Sequence, residues 1–137
     1  MSNPLLRQLD AVTVPVPDLD EGLAFYRDQL GHELLWRNDA VGQAGLRLPE
    51  SNSEIVLSTS LAYAPNWLVT SVGEAVERVV AAGGRVIAEP APIPVGQVAV
   101  VSDPFDNPLV LVDLSSGSYL TDAAARVTGI QGAADLP

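Results

Sequence analysis

Histidine and cysteine, two of the side chains that most often act as nucleophiles, bases or metal ligands, are almost absent from this chain. Histidine occurs once, at His32, and cysteine is absent, so disulfide bonds and thiolate chemistry are excluded. The sequence contains no glycine-rich phosphate loop, no Ser-His-Asp set and no paired-carboxylate motif. A base role for His32 would need a neighbouring partner that the sequence does not identify, so we expect this residue at the surface.

The remaining candidates are aromatic, arginine and amide side chains. Trp36 is followed by Arg37, and such a pair could clamp an aromatic or anionic group, although strand alternation would instead turn one residue to the core and the other to water. Arg47 could bind a carboxylate or phosphate if it faces a concave surface, or be only solvated on a convex one. Tyr63 and Asn66 could offer polar contacts at a cleft rim, with ordinary loop polarity as the alternative.

Composition narrows the classes of protein that this chain can represent. The 137 residues predict one domain with a sizeable core, since 47% of them are hydrophobic. The net charge is −10 and every basic residue is arginine, which disfavours nucleic acid and favours a cationic ligand, or serves solubility alone. No apolar run is long enough for a membrane span or a signal peptide, so a cytoplasmic protein without membrane contact is expected.

The elements that must position these side chains follow the same order twice. Asp18 and Glu21 indicate a helix start, an apolar stripe follows at helical spacing, and Gly31 marks the helix end. The first unit is predicted as a strand, a helix at 19–30, and strands at 32–37, 42–48 and 54–60. The second unit is predicted as a strand at 66–71, a helix at 73–82, and strands at 84–88, 96–102 and 108–114.

The segment 115–137 lies outside both repeats and is treated as a C-terminal extension. Thr121-Asp122-Ala123-Ala124-Ala125-Arg126-Val127 predicts a short capped helix that ends at Gly129. The small and polar residues that follow predict fraying. The alternative is that this segment closes over a partner or over the cleft.

Two motifs on this duplicated pattern carry a family resemblance. The first joins Val14-Pro15-Val16-Pro17-Asp18-Leu19-Asp20 to Ala24-Phe25-Tyr26-Arg27-Asp28-Gln29-Leu30-Gly31, and the second is Asp103-Pro104-Phe105-Asp106-Asn107-Pro108. With them the chain resembles the vicinal oxygen chelate superfamily, which includes glyoxalases, bleomycin resistance proteins and dioxygenases. The resemblance implies an α+β fold over 1–114, in which two β-α-β-β-β modules (about 8–62 and 64–114) form a cupped mixed sheet. It also implies a homodimer.

The resemblance implies one divalent metal on the cupped face of the superfamily's enzymes, held by the first and last strands of each module. Counted from the motifs, the four ligand places hold apolar or indole side chains: Ala11, Val56, Trp67 and Val110. None of these can donate a lone pair to a metal ion. A shift of one residue would offer Asp10 or Glu54, but no complete ligand set. We therefore expect no metal and no cofactor.

The sequence thus favours a metal-free protein that binds an aromatic or cationic small molecule, similar to the bleomycin resistance proteins. The residues expected to contact the ligand are Trp67, Trp36, Arg47, Tyr63, Val56, Val110 and Ala11. Trp67 would form the floor of the cleft, or would only fill the space of a lost metal site. One alternative is a lyase, isomerase or dioxygenase with a metal-free or non-standard site that uses Arg47 or Glu54. Another is an interaction module whose cleft is filled by its own side chains.

Overall fold

The fold is known from a computed structural model, which describes residues 3–132. These residues form two compact units. One contains Asp10–Pro65 together with Tyr119–Gly129, and the other contains 3–9, Asn66–Ser118 and 130–132. The predicted α+β fold with two β-α-β-β-β modules is confirmed. Within residues 3–132, no helix combines the length and the apolar character needed to cross a membrane.

Module one follows the predicted order of elements. They are β1 (Gln8–Pro15), α1 (Leu19–Leu23), a π-helical continuation (Ala24–Gln29), β2 (Leu34–Asn38), β3 (Gln43–Arg47) and β4 (Glu54–Ser58). The strands are arranged β2-β3-β4-β1, with β1 parallel to β4 and the other pairs antiparallel. Asp18 caps α1 by accepting a hydrogen bond of 2.8 Å from the Glu21 N–H, and Gly31 ends the helical segment at φ +85°.

Helix α1 covers one face of the module-one strands. The core on this face consists of Leu19, Leu23, Ala44, Leu46 and Leu57, and Val14, Leu34 and Ile55 pack against it. Because side chains alternate along a strand, this packing decides which residues lie on the other face.

Module two repeats the arrangement. Its elements are β5 (Ala64–Leu68), α2 (Val72–Ala81), β6 (Arg85–Ile93), β7 (Gly96–Ser102) and β8 (Pro108–Asp113), with strands in the order β5-β8-β7-β6. Strand β6 is longer than predicted and runs through Pro90 and Pro92. These prolines are tolerated because β6 is an edge strand, with β7 as its neighbour on one side. A proline lacks the N–H, and on the open side of an edge strand no neighbouring strand needs it for a hydrogen bond. The core under α2 is Val69, Val72, Ala75, Val76, Ala99, Val101 and Leu111.

The predicted helix at residues 121–127 is wrong, because the chain forms a hairpin there. Strand β9 (Ser118–Thr121) pairs with β10 (Val127–Gln131). The Asp122 carboxylate accepts hydrogen bonds from the N–H groups of Ala124 (2.8 Å) and Arg126 (3.0 Å), and Ala125 adopts φ +64°. The acidic residue that resembled a helix cap therefore closes a tight turn instead.

Asp113 is the buried polar centre of module two. Its carboxylate accepts hydrogen bonds from the N–H groups of Val72 (2.9 Å), Gln97 (3.0 Å) and Ser115 (3.2 Å) and from the Ser115 hydroxyl (2.7 Å). Burial raises the pKa of Asp113, but the hydrogen bonds from Val72, Ser115 and Gln97 outweigh it and lower the pKa overall. One carboxylate thus joins the start of α2 to β7 and β8.

Replacing Asp113 should destabilise the protein strongly. Asp113→Ala leaves the buried Val72 N–H and the part-buried N–H groups of Gln97 and Ser115 without their acceptor. This should cost about 3 kcal/mol of the free energy of unfolding, measured by urea denaturation. Asp113→Asn should lose less, since one oxygen acceptor remains. The folded-state pKa is lowered, so the contribution of Asp113 is complete above pH ~4 and is lost as the pH falls through that pKa.

Asp28→Ala is the matched control, because its carboxylate is exposed and pairs with Arg27 at the surface. It should change the free energy of unfolding by less than about 0.5 kcal/mol. Equal losses from the two variants would contradict the central role of Asp113.

Candidate functional site

The face of module one that is not covered by α1 carries the candidate site. On β4, Ile55 and Leu57 pack toward the helix, so Glu54, Val56 and Ser58 lie on the other face. In the register of the array, Glu54 is opposite Ala11 of β1. This face therefore presents the one carboxyl group of β4, that of Glu54.

A β-bulge in β2 brings Trp36 to the same face. Leu34 pairs with Leu46 and packs toward α1, whereas Trp36 pairs with Gly45, and the register shifts between Leu34 and Trp36. In a regular strand, residues two positions apart, such as Leu34 and Trp36, would lie on the same face. The bulge inserts an extra residue and turns Trp36 away from the helix, toward Glu54.

Trp36 and Glu54 are joined by a hydrogen bond across the strand between them. The indole Nε1–H of Trp36 donates to Oε1 of Glu54 at 2.7 Å. Gly45 lies directly beneath this contact, and a Cβ atom there would collide with the Trp36 ring and with Glu54 Oε1. The absence of a side chain at Gly45 is therefore what allows the indole and the carboxyl to meet.

Glu54 has an unusual electrostatic environment for a carboxyl group. Burial is the main cause that raises its pKa, the hydrogen bond from Trp36 lowers it, and the negative charge of Asp10 raises it further, so that the net shift is upward. Burial also raises the pKa of Asp10. Two half-buried acids thus lie close enough to repel each other when both are ionised.

A second aromatic ring comes from the C-terminal hairpin. The Tyr119 and Trp36 ring centroids are 4.9 Å apart, with an interplanar angle of 43°. Burial raises the pKa of Tyr119, the side-chain hydrogen bond with Asn38 lowers it, and the charge of Glu54 raises it, with a net upward shift. Glu54, Trp36 and Tyr119 therefore form one acid–aromatic cluster near the charge of Asp10, and all four residues are half-buried.

This cluster can bind a positively charged or hydrogen-bond-donating group. A desolvated carboxylate attracts a cation more strongly than an exposed one does. The faces of indole and phenol rings add cation–π attraction. A carboxyl whose pKa is raised can also exchange a proton with a bound molecule.

The residues of module one that were predicted to contact a ligand lie in different parts of the structure. Trp36 lies in the acid–aromatic cluster, and Ala11 and Val56 are buried on the same face as Glu54. The Arg47 guanidinium pairs with Glu33 at 3.0 Å, and Tyr63 is 70% exposed in the connector before β5. Contact of these residues with a ligand stays a prediction.

Trp67 does not occupy the place that corresponds to Ala11. Trp67 lies four residues before Ser71, the cap of α2, and Val14 lies four residues before Asp18, the cap of α1. Trp67 therefore corresponds to Val14, and both side chains pack toward the helix of their own module. The predicted equivalence is therefore corrected, since Trp67 packs against the module-two core. Its Nε1 is buried and has no hydrogen-bond partner among residues 3–132.

The residue that corresponds to Ala11 in module two is Ala64, by the same count from the helix cap. Val110 lies between Leu109 and Leu111, which pack toward α2, so Val110 faces the other way, beside Asn66. The corrected set of metal-ligand places still contains only alkyl side chains: Ala11, Val56, Ala64 and Val110. These residues do not fit a divalent metal. Over 3–132, no cluster of three or more His, Cys, Asp or Glu residues is placed to share one.

Several members of the cluster were not recognised as a group from sequence. Glu54 was noted only as a shifted ligand or an electrostatic group, and Tyr119 was missed. Gly45 and Asn38, which adjoin the cluster, were missed as well. A glycine inside a strand was the available signal, since it often marks a close approach. Tyr119 gave no signal, because it was assigned to an extension outside the repeats.

The two β-α-β-β-β modules define this chain as a glyoxalase-fold protein, and the comparisons with known proteins agree. The glyoxalase-like domain family matches residues 11–112, and the chain therefore belongs to that family. No curated protein sequence matches the chain.

Solved structures match the fold at low identity. Methylmalonyl-CoA epimerase from Mycobacterium tuberculosis matches with a TM-score of 0.64 and 23% identity, covering 82% of this chain and 91% of that one. A hypothetical protein from Bacillus halodurans matches with 0.64 and 22%, covering 77% and 93%. A Streptomyces coelicolor methylmalonyl-CoA epimerase in complex with 2-nitronate-propionyl-CoA matches with 0.63 and 19%, covering 81% and 96%.

Substitution of Gly45 should disrupt the cluster. Gly45→Ala forces the Trp36 ring and the Glu54 carboxyl apart, which should lower the free energy of unfolding by roughly 1–3 kcal/mol, measured by denaturant titration. The tryptophan emission should change as well, because the Nε1 hydrogen bond is lost. Gly129→Ala is the control, since a Cβ atom at that position meets nothing within 4 Å. A Gly45→Ala protein that is as stable as the control would refute this packing.

Proposed function

We propose that this glyoxalase-like protein binds a small organic cation without a metal, at the acid–aromatic cluster of module one. The observation that carries the proposal is the half-buried Glu54 carboxyl, which is held by the Trp36 indole and lies near the charge of Asp10. An isolated acid pair of this kind is unfavourable when it is ionised. A bound cation would relieve the repulsion and compensate the buried charge.

The surroundings of Glu54 support an organic ligand rather than a bare ion. Trp36 and Tyr119 present aromatic surface next to the carboxyl, and Val56 adds aliphatic surface on the same strand face. Apolar surface with a few convergent polar groups is typical of small-molecule sites. The net charge of −10 would also raise the local concentration of cations.

The residues at the superfamily's metal-ligand places support binding that is independent of a metal. Ala11, Val56, Ala64 and Val110 carry no donor atoms, so recognition falls to side chains that this chain does possess. Treatment with EDTA should therefore leave the ligand affinity unchanged.

Binding can be tested with two matched amines, benzylammonium and benzyltrimethylammonium, by isothermal titration calorimetry. Glu54→Gln keeps an oxygen acceptor for Trp36 but removes the charge. It should weaken the binding of benzylammonium roughly tenfold to a hundredfold, from the 1.5–3 kcal/mol of a hydrogen bond to a charged group. The binding of benzyltrimethylammonium should weaken by a smaller factor, because this cation donates no hydrogen bond and loses only the charge attraction. Glu50→Gln is the control, because Glu50 is exposed, lies outside the cluster and also loses one charge. Equal affinities for the two variants would refute Glu54 as the binding group.

A second candidate function is acid–base catalysis by Glu54. The raised pKa of this carboxyl favours the candidate, since a general base works best when its pKa approaches the working pH. Epimerases among the structural matches share only the fold.

A proton-transfer enzyme should exchange a carbon-bound hydrogen of its ligand for deuterium in D2O. NMR should show this exchange with the wild type and not with Glu54→Gln. Binding without any exchange would favour a binding protein over this second candidate.

A further inference from the structure

We infer that the C-terminal hairpin is part of the binding site and that Tyr119 selects cations with a methylated ammonium group over cations with a primary ammonium group. This inference rests on the proposed function. Tyr119 lies beyond residues 11–112, so the family match does not include it. The contribution comes from a segment that this chain adds to the two modules.

The ring of Tyr119 is placed directly against the site. Its centroid is 4.9 Å from that of Trp36, whose Nε1 holds the Glu54 carboxyl. The ring planes meet at 43°, so the two aromatic faces are inclined rather than stacked. Tyr119 is half-buried, although the neighbouring Leu120 is 44% exposed. The Tyr119 side chain thus turns toward module one.

Strand β2 fixes the hairpin in this position through its backbone and a side chain. The Arg37 N–H donates to the Ala125 carbonyl oxygen at 2.7 Å, and the Asn38 side chain forms a hydrogen bond with Tyr119. Arg37 and Arg126 also form a parallel bridge. Because Trp36, Arg37 and Asn38 are consecutive, the strand that presents one ring also anchors the other.

The chemistry of the two ligand types predicts the selectivity. A primary ammonium group is strongly hydrated and can donate three hydrogen bonds, so carboxylates alone can satisfy it. A trimethylammonium group donates none and is recognised mainly by ring faces. The loss of one ring should therefore weaken binding of the methylated cation much more than binding of the primary amine.

The test compares wild type, Tyr119→Ala, Tyr119→Leu and Tyr119→Phe by titration calorimetry with benzyltrimethylammonium and benzylammonium. Tyr119→Ala and Tyr119→Leu should weaken benzyltrimethylammonium binding roughly fivefold to thirtyfold, the range of a desolvated cation–π contact, and benzylammonium binding less than about threefold. Tyr119→Phe keeps the ring and should preserve the wild-type ratio. Tyr119→Leu retains apolar volume, so a folding defect in Tyr119→Ala does not prevent a conclusion.

The control variant is Leu120→Ala, which alters the exposed neighbour on the same strand and should change neither affinity. Equal losses for the two cations, or no loss in Tyr119→Ala and Tyr119→Leu, would overturn the inference while Glu54-dependent binding still supports the proposed function. If the wild type binds neither cation, both the proposed function and the role of Tyr119 are refuted.

Discussion

The alternation of side chains along a strand is the constraint on which the rest of this structure depends. Each module covers one face of its strands with a helix, and the residues that meet the helix then fix the opposite face as well. In module one, Ile55 and Leu57 pack under α1, so Glu54 must lie on the other face. In module two, the same alternation directs the Trp67 side chain toward the core under α2 and the Val110 side chain away from it.

The candidate site exists because module one departs from this rule at one point. The bulge in β2 allows Leu34 to pack toward the helix and Trp36 to face the opposite way. Gly45 then leaves room for the indole to reach Glu54. A bulge, a glycine in a strand and a half-buried acid are each unfavourable for stability. Their convergence on one contact favours function as the reason for them.

The two modules keep a common architecture but differ in what they can bind. Module two is held together by Asp113, whose carboxylate is fully engaged with backbone N–H groups and a hydroxyl. Module one instead contains an acid, Glu54, that is desolvated and lies near a second acid. A buried carboxylate with a lowered pKa stabilises the fold, whereas one with a raised pKa is available for ligands or protons.

The sequence by itself determined the repeated elements, because helix caps, glycine stops and apolar periodicity are local signals. In module one, for example, Asp18, Gly31 and the apolar stripe through Leu19 and Leu23 predict the helical segment. It also identified three of the four places that correspond to the superfamily's metal ligands, Ala11, Val56 and Val110, whereas the structure replaced the fourth, Trp67, by Ala64. Only the tertiary structure decided that Trp36 meets Glu54, that Trp67 packs against the module-two core and that Tyr119 joins the site. These contacts depend on a register shift and on a hairpin, which arise from pairing between distant segments that local sequence patterns do not encode.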